Sequence, residues 1–323
     1  MNGRFRRRLP CAAPLLCLLA CSTPETTAIP RQEGFIATED GSRIRYVMMG
    51  EGEQVVMIPM AEYLTDPLAP LAVDRRLLFY DPRSRGPSDR ARPGTATEDR
   101  EVRDMEALRT ATGIDSMAVL GWSGLGKQVA VYASRHPTRV TRIVQVSPVP
   151  PSSDTYPPEE GAPPRENRVD AAAVQAVDEQ WRSGRFEGDG EEYCRQRMNL
   201  TQHASFADTS RWRAAPDLCA FANEWPHNLS EYFGELLPSF GAFDWRDSIR
   251  AVGRPRLVVH GREDGIPLSG ARAWVEGDPQ ARLLVLSPAG HFPFLEQPEP
   301  FFEAVDAFLR GRAPPGAQSI PIG

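Results

Sequence analysis

Ser123 stands in Val119-Leu120-Gly121-Trp122-Ser123-Gly124-Leu125-Gly126, where an aliphatic run gives way to a helical pattern. A hydroxyl at such a strand-to-helix turn projects out of a sheet, and the N–H of the following residue, Gly124, sits at a helix start that favours a developing oxyanion. Two later aliphatic runs end in groups that could serve this serine. Arg256-Leu257-Val258-Val259 leads into His260-Gly261-Arg262-Glu263-Asp264, and Arg282-Leu283-Leu284-Val285-Leu286 leads into Ser287-Pro288-Ala289-Gly290-His291. In that arrangement His291 takes the serine proton as general base, while Asp264 fixes the imidazole tautomer and stabilises the imidazolium. The chemistry expected is cleavage of a small ester or amide through an acyl-enzyme on Ser123, with no cofactor and no metal. His260 and Asp264 have no third ligand nearby for zinc. Gly121 to Gly126 lacks the Lys-Ser/Thr ending of a phosphate loop, because Lys127 is followed by Gln128.

Those three residues converge only if the runs that carry them lie side by side. Gly34 to Thr38 and Arg43 to Met49 read as a hairpin, since Asp40-Gly41 between them supplies the positive φ of a tight turn. Val55 to Ile58, Leu77 to Tyr80, Met117 to Leu120, Arg142 to Val146 and the two runs above read as strands buried on both faces. Near-continuous apolar strands with helices between them predict an α/β architecture with an eight-stranded, mostly parallel sheet. Helices are expected over Glu98 to Ala111, Leu125 to Arg135 and Phe301 to Arg310. His136 is expected to cap the second of these. From Ser147 to about Arg250 no strand-like run occurs. A proline-dense entry is followed by a helical pattern carrying Val169, Ala173, Val174, Val177 and Trp181, which reads as an inserted cap.

The chain has 323 residues, 37 basic and 43 acidic side chains and a net charge of −6. The acidic balance argues against a nucleic-acid partner, which needs a basic face. The first 20 residues carry Arg4, Arg6, Arg7 and Arg8 ahead of a short apolar stretch, Leu9 to Ala20. That stretch is too short to span a ~30 Å hydrocarbon core and reads as a cleaved leader. Leu18-Leu19-Ala20-Cys21 resembles the bacterial lipobox, which implies lipidation of Cys21 and an extracytoplasmic, lipid-anchored protein of the cell envelope. An ordinary signal peptide is the alternative. Of the remaining cysteines, Cys194 and Cys219 can form a disulfide in an oxidising compartment or remain buried thiols. The expected organisation is a leader over 1–20, a tether over 21–33, a core over 34–147 and 251–312, a helical cap over 148–250 and a flexible tail over 313–323.

The sequence resembles the α/β-hydrolases, and within them the branch of prolyl iminopeptidases and tripeptidyl-aminopeptidase-like lipoproteins. Three stretches carry this resemblance: Tyr80-Asp81-Pro82-Arg83-Ser84-Arg85-Gly86-Pro87-Ser88, the turn at Ser123, and Gly290-His291-Phe292-Pro293-Phe294-Leu295-Glu296-Gln297-Pro298. The chain departs from the family in two places. Leu125 stands where the pattern G-x-S-x-G has its second glycine. Ile58-Pro59-Met60-Ala61-Glu62 replaces the usual His-Gly after the third strand. By position, Ala61 and Gly124 supply the backbone N–H groups of the oxyanion hole. The resemblance also implies that a cap carboxylate, Glu224 here, holds a peptide's free α-amine, a solvated helix position being the other reading; Trp225 beside it and Trp122 beside the serine are further candidate substrate contacts. Trp181, Trp212, Trp225 and Trp245 line a pocket or fill the cap core. Arg83 and Arg85 meet an anionic substrate or stabilise their turn by ion pairs. Small esters compete with peptides carrying an N-terminal aminoacyl bond as substrates, and a catalytically silent binding protein on the same scaffold is the competing function.

Overall fold

The computed structural model describes residues 29–157, 168–219 and 227–322. Strands β1 (Arg31–Ala37) and β2 (Arg43–Met49) form the hairpin and are followed by β3 (Val55–Pro59), α1 (Ala61–Leu68), β4 (Arg76–Tyr80), α2 (Glu98–Ala111), β5 (Met117–Trp122), α3 (Gly124–Arg135) and β6 (Val140–Val146). Helices α4 (Ala171–Arg182), α5 (Gly190–Thr201), α6 (His227–Ser239) and α7 (Arg246–Ala251) precede β7 (Arg256–Gly261). The chain continues through α8 (Leu268–Ala273), β8 (Ala281–Leu286), α9 (Pro293–Glu296) and α10 (Pro298–Leu309).

The eight strands form one sheet in the order β1-β2-β4-β3-β5-β6-β7-β8. The pairs β1/β2 and β2/β4 are antiparallel and all others parallel. Alternating side chains divide the interior into two layers. Val56, Ile58, Leu77, Phe79 and Leu120 face one layer together with Leu64, Phe301, Val305 and Phe308 of α1 and α10. Val55, Met57, Leu78, Met117 and Val119 face the other, against Met105 and Leu108 of α2, Val129 and Tyr132 of α3, and Trp274. The chain steps outward from β3 to β4 and then returns past β3 to β5. The strand order therefore reverses between β3 and β5, and the carboxyl ends of these neighbours border the crevice such a reversal leaves.

The loop after β4 is fixed by charge. Arg83, with its side chain 2% exposed, donates to Asp104 at 2.5 and 2.8 Å and to Asp40 at 2.7 and 3.0 Å. Asp81 accepts from Arg45 Nη1 at 3.0 Å and from the N–H of Glu62 at 3.0 Å, tying the loop to the start of α1. Ser88 Oγ donates to the Asp81 carbonyl at 2.7 Å and accepts from the Arg45 N–H at 2.9 Å. Arg83 thus serves its turn through ion pairs.

Several boundaries differ from the sequence reading. Strand β1 starts at Arg31, within the stretch read as tether, because Arg31 to Glu33 pair in register with Met49 to Val47. Helix α7 crosses the boundary placed at residue 250, and its Ile249 is buried in the same layer as α3. The tail read as flexible instead meets the sheet edge. Gln318 exchanges both backbone hydrogen bonds with Leu283 of β8 at 2.8 Å, and Ile320 O accepts from the Gly277 N–H at 2.9 Å. An edge strand presents unpaired N–H and C=O groups, and the extended tail satisfies them. Cys194 and Cys219 form a disulfide with sulfurs 2.05 Å apart. The leader over 1–20, Cys21, Glu224 and Trp225 lie outside the described residues.

Removing Arg83 leaves two carboxylates without their cation in a buried site, which costs about 3–5 kcal/mol. Arg83→Ala should therefore lose about that much unfolding free energy in urea titration; a loss near zero would mean that the ion pairs do not hold the loop.

Candidate active site

Ser123 occupies the turn between β5 and α3 with φ 59° and ψ −130°. This conformation is costly for a non-glycine residue and persists only where surrounding bonds enforce it. Its N–H donates to Val146 O at 2.9 Å, and its carbonyl accepts from Gly126 at 2.9 Å and Val149 at 3.3 Å. The turn needs small neighbours: a Cβ on Gly121 would collide with the Leu125 carbonyl, and one on Gly126 would stand 2.9 Å from Pro148 Cβ. Leu125 is compatible with the missing glycine because its backbone is already helical, and the close approach falls one residue later.

His291 and Asp264 leave β8 and β7 at the same edge. His291 Nδ1 lies 2.9 and 3.1 Å from the two Asp264 carboxylate oxygens. Asp264 also accepts from the Ile266 N–H at 3.0 Å. Burial works to raise the Asp264 pKa, but the charge and hydrogen bond of His291, followed by His260 and the Ile266 amide, hold it below the usual value. The backbone of His291 is pinned on both sides. Its N–H donates to Ser205 O at 2.7 Å, and its carbonyl accepts from Trp122 Nε1 at 2.8 Å. The Trp122 and His291 rings lie 5.0 Å apart. The neighbour of Ser123 thus fastens the histidine loop. Among the described residues Ser123 Oγ has no hydrogen bond, so the Ser123–His291 bond is absent in this conformation. Such contacts are often long until substrate is bound.

Two backbone donors stand at the starts of the helices that follow β3 and β5. Ala61 and Gly124 are the first residues of α1 and α3, and their N–H groups have no partner among the described residues. Met60, just ahead of Ala61, has the left-handed φ 76° and ψ 58°, and the Asp81 bond to Glu62 N–H fixes the other side. Pro59 closes β3 and its lack of an N–H leaves Ala61 unaffected.

A cavity of about 300 Å³ opens beside Ser123, lined by Met60, Trp122, Gly124 and Leu125 and by the cap residues Leu218, Phe233 and Leu236. Of the aromatic and basic residues that the sequence singles out for substrate contact, Trp122 and Arg85 line it; Trp181, Trp212 and Trp245 do not. Trp181 instead packs with Phe186 and Tyr193. The sequence reading missed Met60, Tyr63, Glu101, Lys127 and Gln128, all of which line the cavity. The helical period offered a signal, since Glu98, Glu101, Met105 and Leu108 share one face. His260 Nε2 lies 3.0 Å from Ile266 O, and no metal-binding cluster occurs among the described residues.

The profile of a family described as alpha/beta hydrolase fold matches residues 56–298. A pimeloyl-[acyl-carrier protein] methyl ester esterase of Aromatoleum aromaticum is 29% identical over 200 residues, covering 61% of this chain and 75% of that protein. The enzyme of the same name from Nitrosomonas europaea is 42% identical over 65 residues, 20% of this chain and 26% of that protein, so the aligned part spans about a quarter of that relative. A non-heme chloroperoxidase of Streptomyces lividans is 29% identical over 252 residues, covering 72% and 83% of the two chains. Among solved structures, a serine hydrolase from Cycloclasticus zankles superposes with a TM-score of 0.65 at 19% identity, covering 87% of this chain and 99% of that one. This last likeness concerns the fold.

Burial pushes the Glu101 carboxyl up to about 8, against the pull of Arg85. Between the usual carboxylate range and pH 8 the folded chain keeps a proton that the unfolded chain releases, so this residue makes stability fall as pH rises through that window. Glu101→Gln removes the effect. Its melting temperature should exceed that of the unsubstituted protein by at least about 2–4 °C more at pH 9 than at pH 4.5, the shift that ~1 kcal/mol produces in a chain of this size. An equal difference at both pH values in calorimetric scans would contradict the raised pKa.

Proposed function

The chain belongs to the α/β-hydrolase fold family, and from that premise we propose that it hydrolyses small carboxylic esters through an acyl-enzyme on Ser123. The observation that carries this reading is the Asp264–His291 pair, held 2.9 Å apart, with the His291 backbone fastened by Trp122, the residue preceding a strained serine.

In this mechanism His291 Nε2 accepts the Ser123 proton as Oγ attacks the ester carbonyl, and Asp264 steadies the resulting imidazolium. The N–H groups of Ala61 and Gly124 receive the oxyanion; a single donor of this kind contributes about 10² to 10³ in turnover. His291 returns the proton to the departing alcohol. Water then attacks the acyl-enzyme with His291 again as base. The largely apolar cap side of the cavity supports an ester in preference to a peptide amine. Glu224, the residue the aminopeptidase reading needs, lies outside the described residues, and its function stays a proposal of that branch. The names of the Aromatoleum and Nitrosomonas relatives support the same choice. Envelope attachment through Cys21 belongs to this proposal as well, supported by the basic, apolar leader and by the Cys194–Cys219 disulfide, a bond of oxidising compartments.

A fluorophosphonate probe should label the intact protein and fail to label Ser123→Ala, and p-nitrophenyl acetate should be hydrolysed. Asp264→Asn should keep the fold and lower kcat by about 10⁴. Folded protein that takes no label and cleaves no ester would establish the binding protein in place of the enzyme.

A further inference from the structure

The cavity beside Ser123 has a polar end formed by two helices. Lys127 and Gln128 follow Ser123 by slightly more than one turn of α3, and Glu101 reaches the same space from α2. The charge of Lys127 is already met. Its Nζ lies 2.8 Å from Glu98 Oε2 and sits 3.0 Å over the Phe240 ring and 4.3 Å from that of Phe243. Gln128 and Glu101 differ from it. Gln128 is 3% exposed and its Nε2 has no hydrogen-bond partner among the described residues. Glu101 is 9% exposed, and its carboxyl accepts no hydrogen bond from the described residues. Buried polar groups are nearly always paired, and two unpaired ones of complementary type on one cavity wall mark the place of a ligand group.

The chemistry of that group follows from its surroundings. It must accept from an amide N–H and complement a carboxyl. An ammonium would enter beside Lys127 and Arg85, both of which interact electrostatically with Glu101. A carboxylate would lie against the Glu101 carboxyl and be repelled whenever that group is ionised. A hydroxyl avoids both repulsions, because it accepts from Gln128 Nε2 while donating to an ionised Glu101 or accepting from a protonated one. The remainder of the cavity, with Leu125, Val149, Leu218 and Leu236, suits the methylene chain between that hydroxyl and the ester.

We propose that this cavity selects esters bearing a hydroxyl at the far end of the chain it holds, with Gln128 and Glu101 as the specificity-determining residues. The proposal rests on the esterase reading for the position of the scissile bond. Its test separates the two. Ser123→Ala is titrated calorimetrically with methyl esters of straight-chain acids from butanoic to octanoic, and with their ω-hydroxy, ω-carboxy and ω-amino counterparts. At one chain length the hydroxy ester should bind about tenfold more tightly than the plain ester, as one good hydrogen bond to a buried partner allows, and Gln128→Leu or Glu101→Leu in the same background should reduce the gain to about threefold or less. Circular dichroism establishes that each variant is folded, and Gln128→Leu alone decides if Glu101→Leu is not. Equal binding of plain and hydroxy esters at every length, tightest binding of the carboxy or amino series, or an undiminished gain in the folded variants would overturn the proposal. Hydrolysis of the same esters by the unsubstituted protein is followed in parallel. Turnover without a hydroxyl preference in binding defeats this inference and leaves the esterase standing, whereas a binding preference without turnover does the reverse.

Discussion

The reversal of strand order between β3 and β5 is the constraint on which the rest depends. Both strands run the same way, yet the chain leaves β3 toward one edge and enters β5 after doubling back, so the helices that follow them diverge from the strands' carboxyl ends. The two helices that start there, α1 and α3, direct their first N–H groups into the opening, and an opening so furnished attracts negative charge wherever it develops. Ser123 lies at this point because β5 ends there. His291 and Asp264 reach it because β7 and β8 continue the parallel order on the same side.

Position alone would not keep these groups still, and buried charge supplies the remaining rigidity. Asp81 ties the loop after β4 to the first turn of α1, and Arg83 clamps that loop to the hairpin and to α2. On the histidine side Glu296 plays a comparable part. Its carboxylate accepts from the Gly290 N–H at 2.6 Å and from the Ala207 N–H at 2.8 Å, joining the histidine loop to the segment that follows α5. The inserted helices are thus fastened to the histidine loop through backbone amides, and movement of one would be felt by the other.

The sheet and the Ser123, Asp264 and His291 positions were legible because each depended on a local signal: an apolar run, then a small or acidic residue where the run stops. The cavity wall was not. Glu101 sits within Glu98-Asp99-Arg100-Glu101-Val102-Arg103-Asp104, which reads as a solvated surface because alternating charge ordinarily is one. Its burial results from α6 and the cap lying over α2, a tertiary event that the charges of α2 do not announce. Lys127 likewise looks exposed until Phe240 and Phe243, more than a hundred residues later, close over it. The tail misled for the opposite reason. Ala313-Pro314-Pro315-Gly316 suggests fraying, yet the residues beyond it only needed an unoccupied strand edge to become ordered.

That pairing of Gln318 with Leu283 has a consequence for how molecules of this chain meet one another. The outer rim of β8 would otherwise offer a ready template for a foreign strand, the route by which sheets coalesce into aggregates. By folding its own carboxyl-terminal segment across part of that rim, the polypeptide occupies the contact in advance and denies it to a neighbour.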